Sequence, residues 1–374
     1  MFRIPRFLLL FVALATFAAA CGDDDDTSAG QGGDLPTVVV TTNILGDVVT
    51  ELTGGAVNVV TIMPVGADPH DFQASAQQVA EMQSAAVLIV NGGSFEEGLL
   101  DVIEGAEADG VAVYEAISAV STIEFGEGGH DDHGHDDHGD EEGHEGEEDH
   151  DHEGEEGHED EEDHDHEREE SKDEDHDDHD HEGEEGHDDH EGHDHSGDDP
   201  HFFTDPARMA LAVDGIAAFL IANVDGIDAD AVSAAAEAYH DELEALDAEV
   251  AALVESIPAE SRVLITNHEV FGYFADRYGF EVAGAVIPSG STVDSSSAGE
   301  LAEFAELIQA EGVAAIFSDE SASDQLAQTL ADEVGDIAVV ALFTESLGES
   351  GSGGATYVEM VRTNAERIAG ALAS

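Results

Sequence analysis

The chain has 374 residues, 89 of them acidic and 9 basic, for a formal net charge of −80. That balance repels nucleic acid and anionic membrane surfaces and favours cations as partners, while the length suits two domains once a leader and an uncored tract are subtracted. Cys21 is the single cysteine, which excludes an intramolecular disulfide and any cysteine-rich zinc or iron–sulfur site, so a metal must sit on His, Asp or Glu.

In chain order, Arg3 and Arg6 precede an apolar stretch from Phe7 to Phe17, and Ala18-Ala19-Ala20 precede Cys21. Residues 1–20 therefore read as a secretory leader. A small-residue cleavage site directly before a cysteine resembles a bacterial lipobox, which implies acylation of Cys21 and an extracytoplasmic protein anchored to the cell membrane. Residues 21–35, with Asp23 to Asp26 in succession, suit a flexible tether.

The β-branched run Thr37 to Thr41 predicts a strand, Ile44 to Thr53 a helix, and Val57 to Met63 a second strand. Gln77 to Ala85 predicts a helix, Ala86 to Val90 a buried strand and Val111 to Val113 a short one. Asp205-Pro206 opens a helix reaching about Ala222, with proline suited to its first turn. From about Asp230 to Ser256 the sequence is rich in Ala, Glu and Leu, and Leu243, Leu246, Val250 and Leu253 fall at helical spacing. Strands are then predicted at Arg262 to Thr266, Val282 to Ile287, Val313 to Phe317 and Ile337 to Leu342, with helices between them and a last helix near Tyr357 to Leu372. Alternating strands and helices argue for an α/β fold of two lobes, each a mainly parallel sheet flanked by helices. The expected divisions are an N-terminal lobe at 36–228, a linking helix at 229–257 and a C-terminal lobe at 258–374. The chain is expected to be a monomer.

Within the first lobe, residues 127–198 form an acidic tract with hardly an apolar side chain. It carries His130, His133, His135, His138, His144, His150, His152, His158, His164, His166, His176, His179, His181, His187, His190, His193 and His195. Such a composition cannot form a core and predicts a disordered loop. Imidazole suits zinc, copper and nickel, and carboxylates can complete such sites, so the tract is expected to bind metal weakly at many places. Ordering it around one ion would cost too much conformational entropy, which puts a selective site elsewhere.

Outside the tract stand His70, His201, His240 and His268. His70 lies in Asp68-Pro69-His70-Asp71-Phe72, and His201 in Asp199-Pro200-His201 just before a helix, where proline stiffens the turn that aims the imidazole. His268 follows a strand in Thr266-Asn267-His268-Glu269, beyond its carboxyl end, where open α/β sheets build ligand sites. His240 sits among Tyr239, Asp241 and Glu242 and reads as an exposed helical residue. A fourth ligand would be a carboxylate, and periodicity leaves Asp319, Glu320 and Glu345 as candidates.

These motifs, with Asn267-His268-Glu269-Val270-Phe271-Gly272-Tyr273-Phe274, Phe343-Thr344-Glu345-Ser346-Leu347-Gly348, Tyr357 and Asn364, make the chain similar to the zinc/manganese solute-binding proteins of bacterial ABC importers, cluster A-I. The resemblance implies two lobes joined by one long helix with a single metal in the cleft. It carries ligand roles onto His70, His201, His268 and Glu345, where the family usually has aspartate at the last position. It also implies an ABC permease and its ATPase as partners and no enzymatic activity. Manganese-type relatives tend to have a carboxylate at the third position, so His268 and the histidine tract favour Zn²⁺ over Mn²⁺ as the transported ion. A zinc buffer or adhesin without an importer is the competing binding function. A zinc hydrolase is disfavoured, because no His-Glu-x-x-His helix is present and Glu269 is the only adjacent base.

Overall fold

The computed structural model describes residues 35–125, 197–287, 292, 298–335 and 337–373. The leader, Cys21, all of the tether but Leu35 and the tract histidines, in residues 1–34 and 126–196, lie outside the described residues.

The first half builds a sheet from β1 (Thr37–Val40), β2 (Asn58–Thr61), β3 (Val87–Val90) and β4 (Ala112–Glu115), and the second from β5 (Val263–Thr266), β6 (Glu281–Ala285), β7 (Ala315–Asp319) and β8 (Ala338–Leu342). Their orders are β2-β1-β3-β4 and β6-β5-β7-β8. Every neighbouring pair is parallel. Parallel sheets need helices on both faces. These are α1 (Asn43–Thr53), α2 (Ala76–Gln83), α3 (Leu100–Ala108), α4 (Pro206–Asn223), α5 (Ala229–Val254), α6 (Gly272–Tyr278), α7 (Ala298–Glu311), α8 (Gln325–Val334) and α9 (Tyr357–Leu372).

Side chains alternate between the faces of each sheet with the two-residue period of a strand. Val38 and Val40 point into one large apolar core while Val39 faces a smaller cluster with Ile62, Met82 and Leu88. In the second sheet Ala315 and Phe317 enter that same large core, while Ile316 faces a third cluster with Ile265, Val286 and Ile308. The large core is thus shared by the inner faces of both sheets. Its centre is α5, 26 residues long, which packs on α1, α4 and α9. Val232, Ala236, Tyr239, Leu243, Leu246, Val250 and Val254 form its buried stripe.

Local chemistry fixes the helix starts that matter for the site. Asp205 accepts from the Ala207 amide at 2.8 Å, and Pro206 takes the first helical position of α4, where its missing N–H costs nothing. Thr42, Asp228 and Thr356 accept in the same way at α1, α5 and α9, each such cap contributing about 1 kcal/mol.

The segment that flanks residues 126–196 is closed at its base. Glu124 and Asp198 form an antiparallel bridge, and the Asp199 amide donates to the Ile123 carbonyl at 2.8 Å. Asp198, expected inside the tract, forms this isolated bridge instead.

Candidate metal centre

Three of the four loops that matter follow the carboxyl ends of β2, β5 and β8, and the fourth leads into α4. The two Asp-Pro-His segments form the same turn: the His70 amide donates to Asp68 Oδ1 at 2.9 Å, and the His201 amide donates to Asp199 Oδ1 at 2.8 Å. Aspartate two residues before the histidine replaces a backbone acceptor, and the intervening proline holds the bend.

His268 comes from the loop after β5, where Thr266 Oγ1 donates to the His268 carbonyl at 2.7 Å. Glu345 comes from the loop after β8. Asn364, on α9, holds the base of that loop by accepting from the Phe343 amide at 2.9 Å and donating to the Phe343 carbonyl at 2.6 Å. Asn43, at the start of α1, accepts from the Leu347 amide at 2.7 Å, so the first half grips the Glu345 loop directly.

The result is a buried cluster of His70, His201, His268 and Glu345, with one potential ligand atom from each within 4.8 Å of all the others. Exposure is 4% or less at every one of them. The Nε2 atoms of His70, His201 and His268 lie 2.7, 3.1 and 3.2 Å from Glu345 Oε1. Bonds of about 2.0–2.1 Å to a tetrahedral ion put neighbouring ligand atoms roughly 3.3 Å apart, so the cluster is close to the size of a zinc shell.

The outer ring nitrogens are held differently. His201 Nδ1 meets Asp199 Oδ1 at 2.7 Å, whereas His70 Nδ1 meets Glu97 Oε1 at 3.0 Å, and Asp68 Oδ2 accepts from Thr292 Oγ1. A carboxylate on Nδ1 fixes the tautomer that leaves Nε2 free for a metal. His268 is fully buried; its Nδ1 has no hydrogen-bond partner among the described residues, and its Nε2 faces Glu345 Oε1 at 3.2 Å. A buried imidazole whose Nε2 shares one carboxylate oxygen with two other imidazoles fits a ligand site, and its unpartnered Nδ1 carries a desolvation penalty of about 1–3 kcal/mol.

The charges reinforce one another. Burial disfavours the charged form of His70, but the Glu345 and Glu97 carboxylates outweigh it and raise the imidazole to about 10. His201 is likewise raised against its burial by Asp199 and Glu345. Burial pushes Glu345 upward, yet the surrounding imidazoles hold it well below the ordinary carboxylate range.

Phe95 packs edge-on against both His70 and His201 at 5.5 Å, screening the imidazoles from water. Beside it, buried Glu96 accepts from Thr41 Oγ1 and the Asn91 amide, both at 2.6 Å. That carboxylate ties the ends of β1 and β3 to the turn bearing Phe95 and Glu97.

Asp319 and Glu320 lie outside the cluster. Asp319 accepts from the Ser321 amide at 2.7 Å, and Glu320 accepts from Arg367 at 2.6 Å. His240 is on α5, 3.1 Å from Asp214. Sequence reading missed Glu96 and Glu97, whose only signal was two acids beside a Gly-Gly turn.

Residues 38–371 match the family described as "Zinc-uptake complex component A periplasmic" (ZnuA). The chain belongs to this family. It is 26% identical over 378 residues to the zinc-binding protein TroA of Treponema pallidum, covering 99% of this chain and 98% of that one. It is 27% identical over 375 residues to the manganese-binding lipoprotein MntA of Bacillus subtilis, covering 98% of each. Its fold matches the solved structure of periplasmic TroA with a TM-score of 0.68 at 25% identity, covering 91% of this chain and 100% of that one. A Mn-bound periplasmic metal-binding protein from Candidatus Liberibacter asiaticus matches at 0.64 and 17% identity, over 90% and 99% of the two chains. Such relatives are solute-binding proteins, and this ZnuA-family member is one too, not an enzyme.

Proposed function

We propose that this protein captures a divalent transition metal, zinc foremost, on His70, His201, His268 and Glu345 and delivers it to an ABC permease and its ATPase. The observation that carries the reading is the convergence of three buried Nε2 atoms on one carboxylate oxygen, at 2.7 to 3.2 Å. Three imidazoles and one carboxylate form a tetrahedral donor set suited to Zn²⁺, whereas Mn²⁺ favours a larger shell of oxygen ligands. The manganese-binding relatives, at similar identity, favour manganese as the second reading.

The residues 36–228, 229–257 and 258–374 act as two lobes and a connecting strut, with the metal between the lobes. Cys21 carries the lipid anchor that keeps the protein on the outer face of the cell membrane, and the tract histidines collect zinc at weak sites ahead of the selective one. The test is growth of a strain lacking the gene in zinc-depleted and in manganese-depleted medium. The wild-type gene should rescue growth in the first medium and His268→Ala should fail there. Rescue confined to the second medium would make the cargo manganese.

A further inference from the structure

His201 is a first-half residue, but the side chain that orients it is held from the second half. Asp199 Oδ1 takes two bonds at once, from the His201 amide at 2.8 Å and at His201 Nδ1 at 2.7 Å. The other oxygen, Oδ2, faces the bare Cα of Gly272, and a Cβ there would lie 2.5 Å from it. Relieving that contact by turning the carboxylate would take Oδ1 off the imidazole. The next residue fixes the main chain at the same point: Tyr273 Oη donates to the Asp199 carbonyl at 2.6 Å and accepts from the Ile123 amide at 3.4 Å. Tyr273 is fully buried, and the Arg208 guanidinium covers its ring at 4.7 Å.

We propose that Gly272 and Tyr273 are positioning residues for His201: through Asp199 they set the imidazole, so that the helix beginning at Gly272 controls a metal ligand on the opposite half. The proposal rests on the reading of His201 as a ligand. His201 is then aimed only while the two halves are in register, and its affinity for metal depends on that contact.

The test is zinc affinity of the full chain by competition with a chromophoric chelator, in a double-mutant cycle. Tyr273→Phe and Gly272→Ala each weaken the tight site by about tenfold or more, the range for loss of a supporting partner. Combined with Asp199→Asn, neither lowers affinity further, because all act through one contact. In the zinc-loaded protein the ¹⁵N ring signals of His201 shift in Tyr273→Phe toward those of Asp199→Asn. Tyr278→Phe, which removes a hydroxyl bonded to Asp247 at 3.0 Å on the same helix, leaves affinity unchanged and serves as the control for general weakening. Tyr273→Phe is near-isosteric and keeps the test open if Gly272→Ala fails to fold. Wild-type affinity in Tyr273→Phe, or effects fully additive with Asp199→Asn, overturns the proposal alone. Unchanged zinc affinity in His201→Ala overturns the ligand reading and the proposal with it.

Discussion

Two histidines that read alike in sequence are supported by different carboxylates. Asp199 serves the ring of its own histidine, whereas Glu97 serves the ring of His70 and Asp68 holds the His70 amide and Thr292. Glu97→Gln keeps the shape and removes the charge, and is expected to weaken zinc binding on the order of 10–100-fold. His70→Ala or His268→Ala removes a proposed ligand and should cost more than that; calorimetry on each variant ranks them. Protons compete at the same atoms. In the metal-free protein His70 is raised from 6.5 to about 10, so at pH 7 zinc must expel a proton from it, and affinity climbs as pH rises toward that value. Calorimetry in buffers of differing ionisation enthalpy should show proton release per zinc bound at pH 7, and no exchange would contradict the assignment. The sign for the metal-free fold is opposite. A raised histidine contributes its full stability below about 6.5 and loses it as pH rises through about 10, so the gain in Tm on adding zinc should widen from pH 7 to pH 9.

At the level of elements, the strongest patterns were the most legible. The bounds predicted for α9 are those observed, because Tyr357, Val361, Ile368 and Leu372 form one buried stripe. By contrast α3 has a short face of Val102, Ile103 and Ala106 interrupted by Gly105, a weaker pattern that the sequence reading passed over. The predicted end of β7 at Phe317 falls short because Ser318 and Asp319 stay paired with Ala341 and Leu342. The Asp-Pro-His turns were legible because their chemistry is local. The Glu97 and Tyr273 contacts join residues 27 and 74 positions apart, which no local pattern records. Since the α5 stripe fills the core shared by both sheets, Leu243→Ala or Leu246→Ala should destabilise the protein by about 2–5 kcal/mol, measurable by denaturant unfolding. The bridge between Glu124 and Asp198 closes the base of the histidine tract independently of what lies beyond it. A variant lacking residues 127–196, its ends joined by a short Gly-Ser link, should therefore keep the tight site while binding fewer zinc ions in total at neutral pH.

For the whole molecule, a continuous α5 and one apolar core common to both sheets resist wide opening, so metal release is expected to involve loop changes and modest tilting. Scattering radii of the variant lacking residues 127–196 should be nearly equal with and without zinc, and a large contraction on zinc binding would refute this. On the proposed function, four buried residues, and not the tract, hold one zinc ion in preference to manganese. The deciding experiment is metal analysis of the same variant, purified without an affinity tag and equilibrated with equal Zn²⁺ and Mn²⁺. One zinc per chain, lost in His268→Ala, is the expected result. Manganese in its place, or no tightly held metal once the tract is gone, would contradict it.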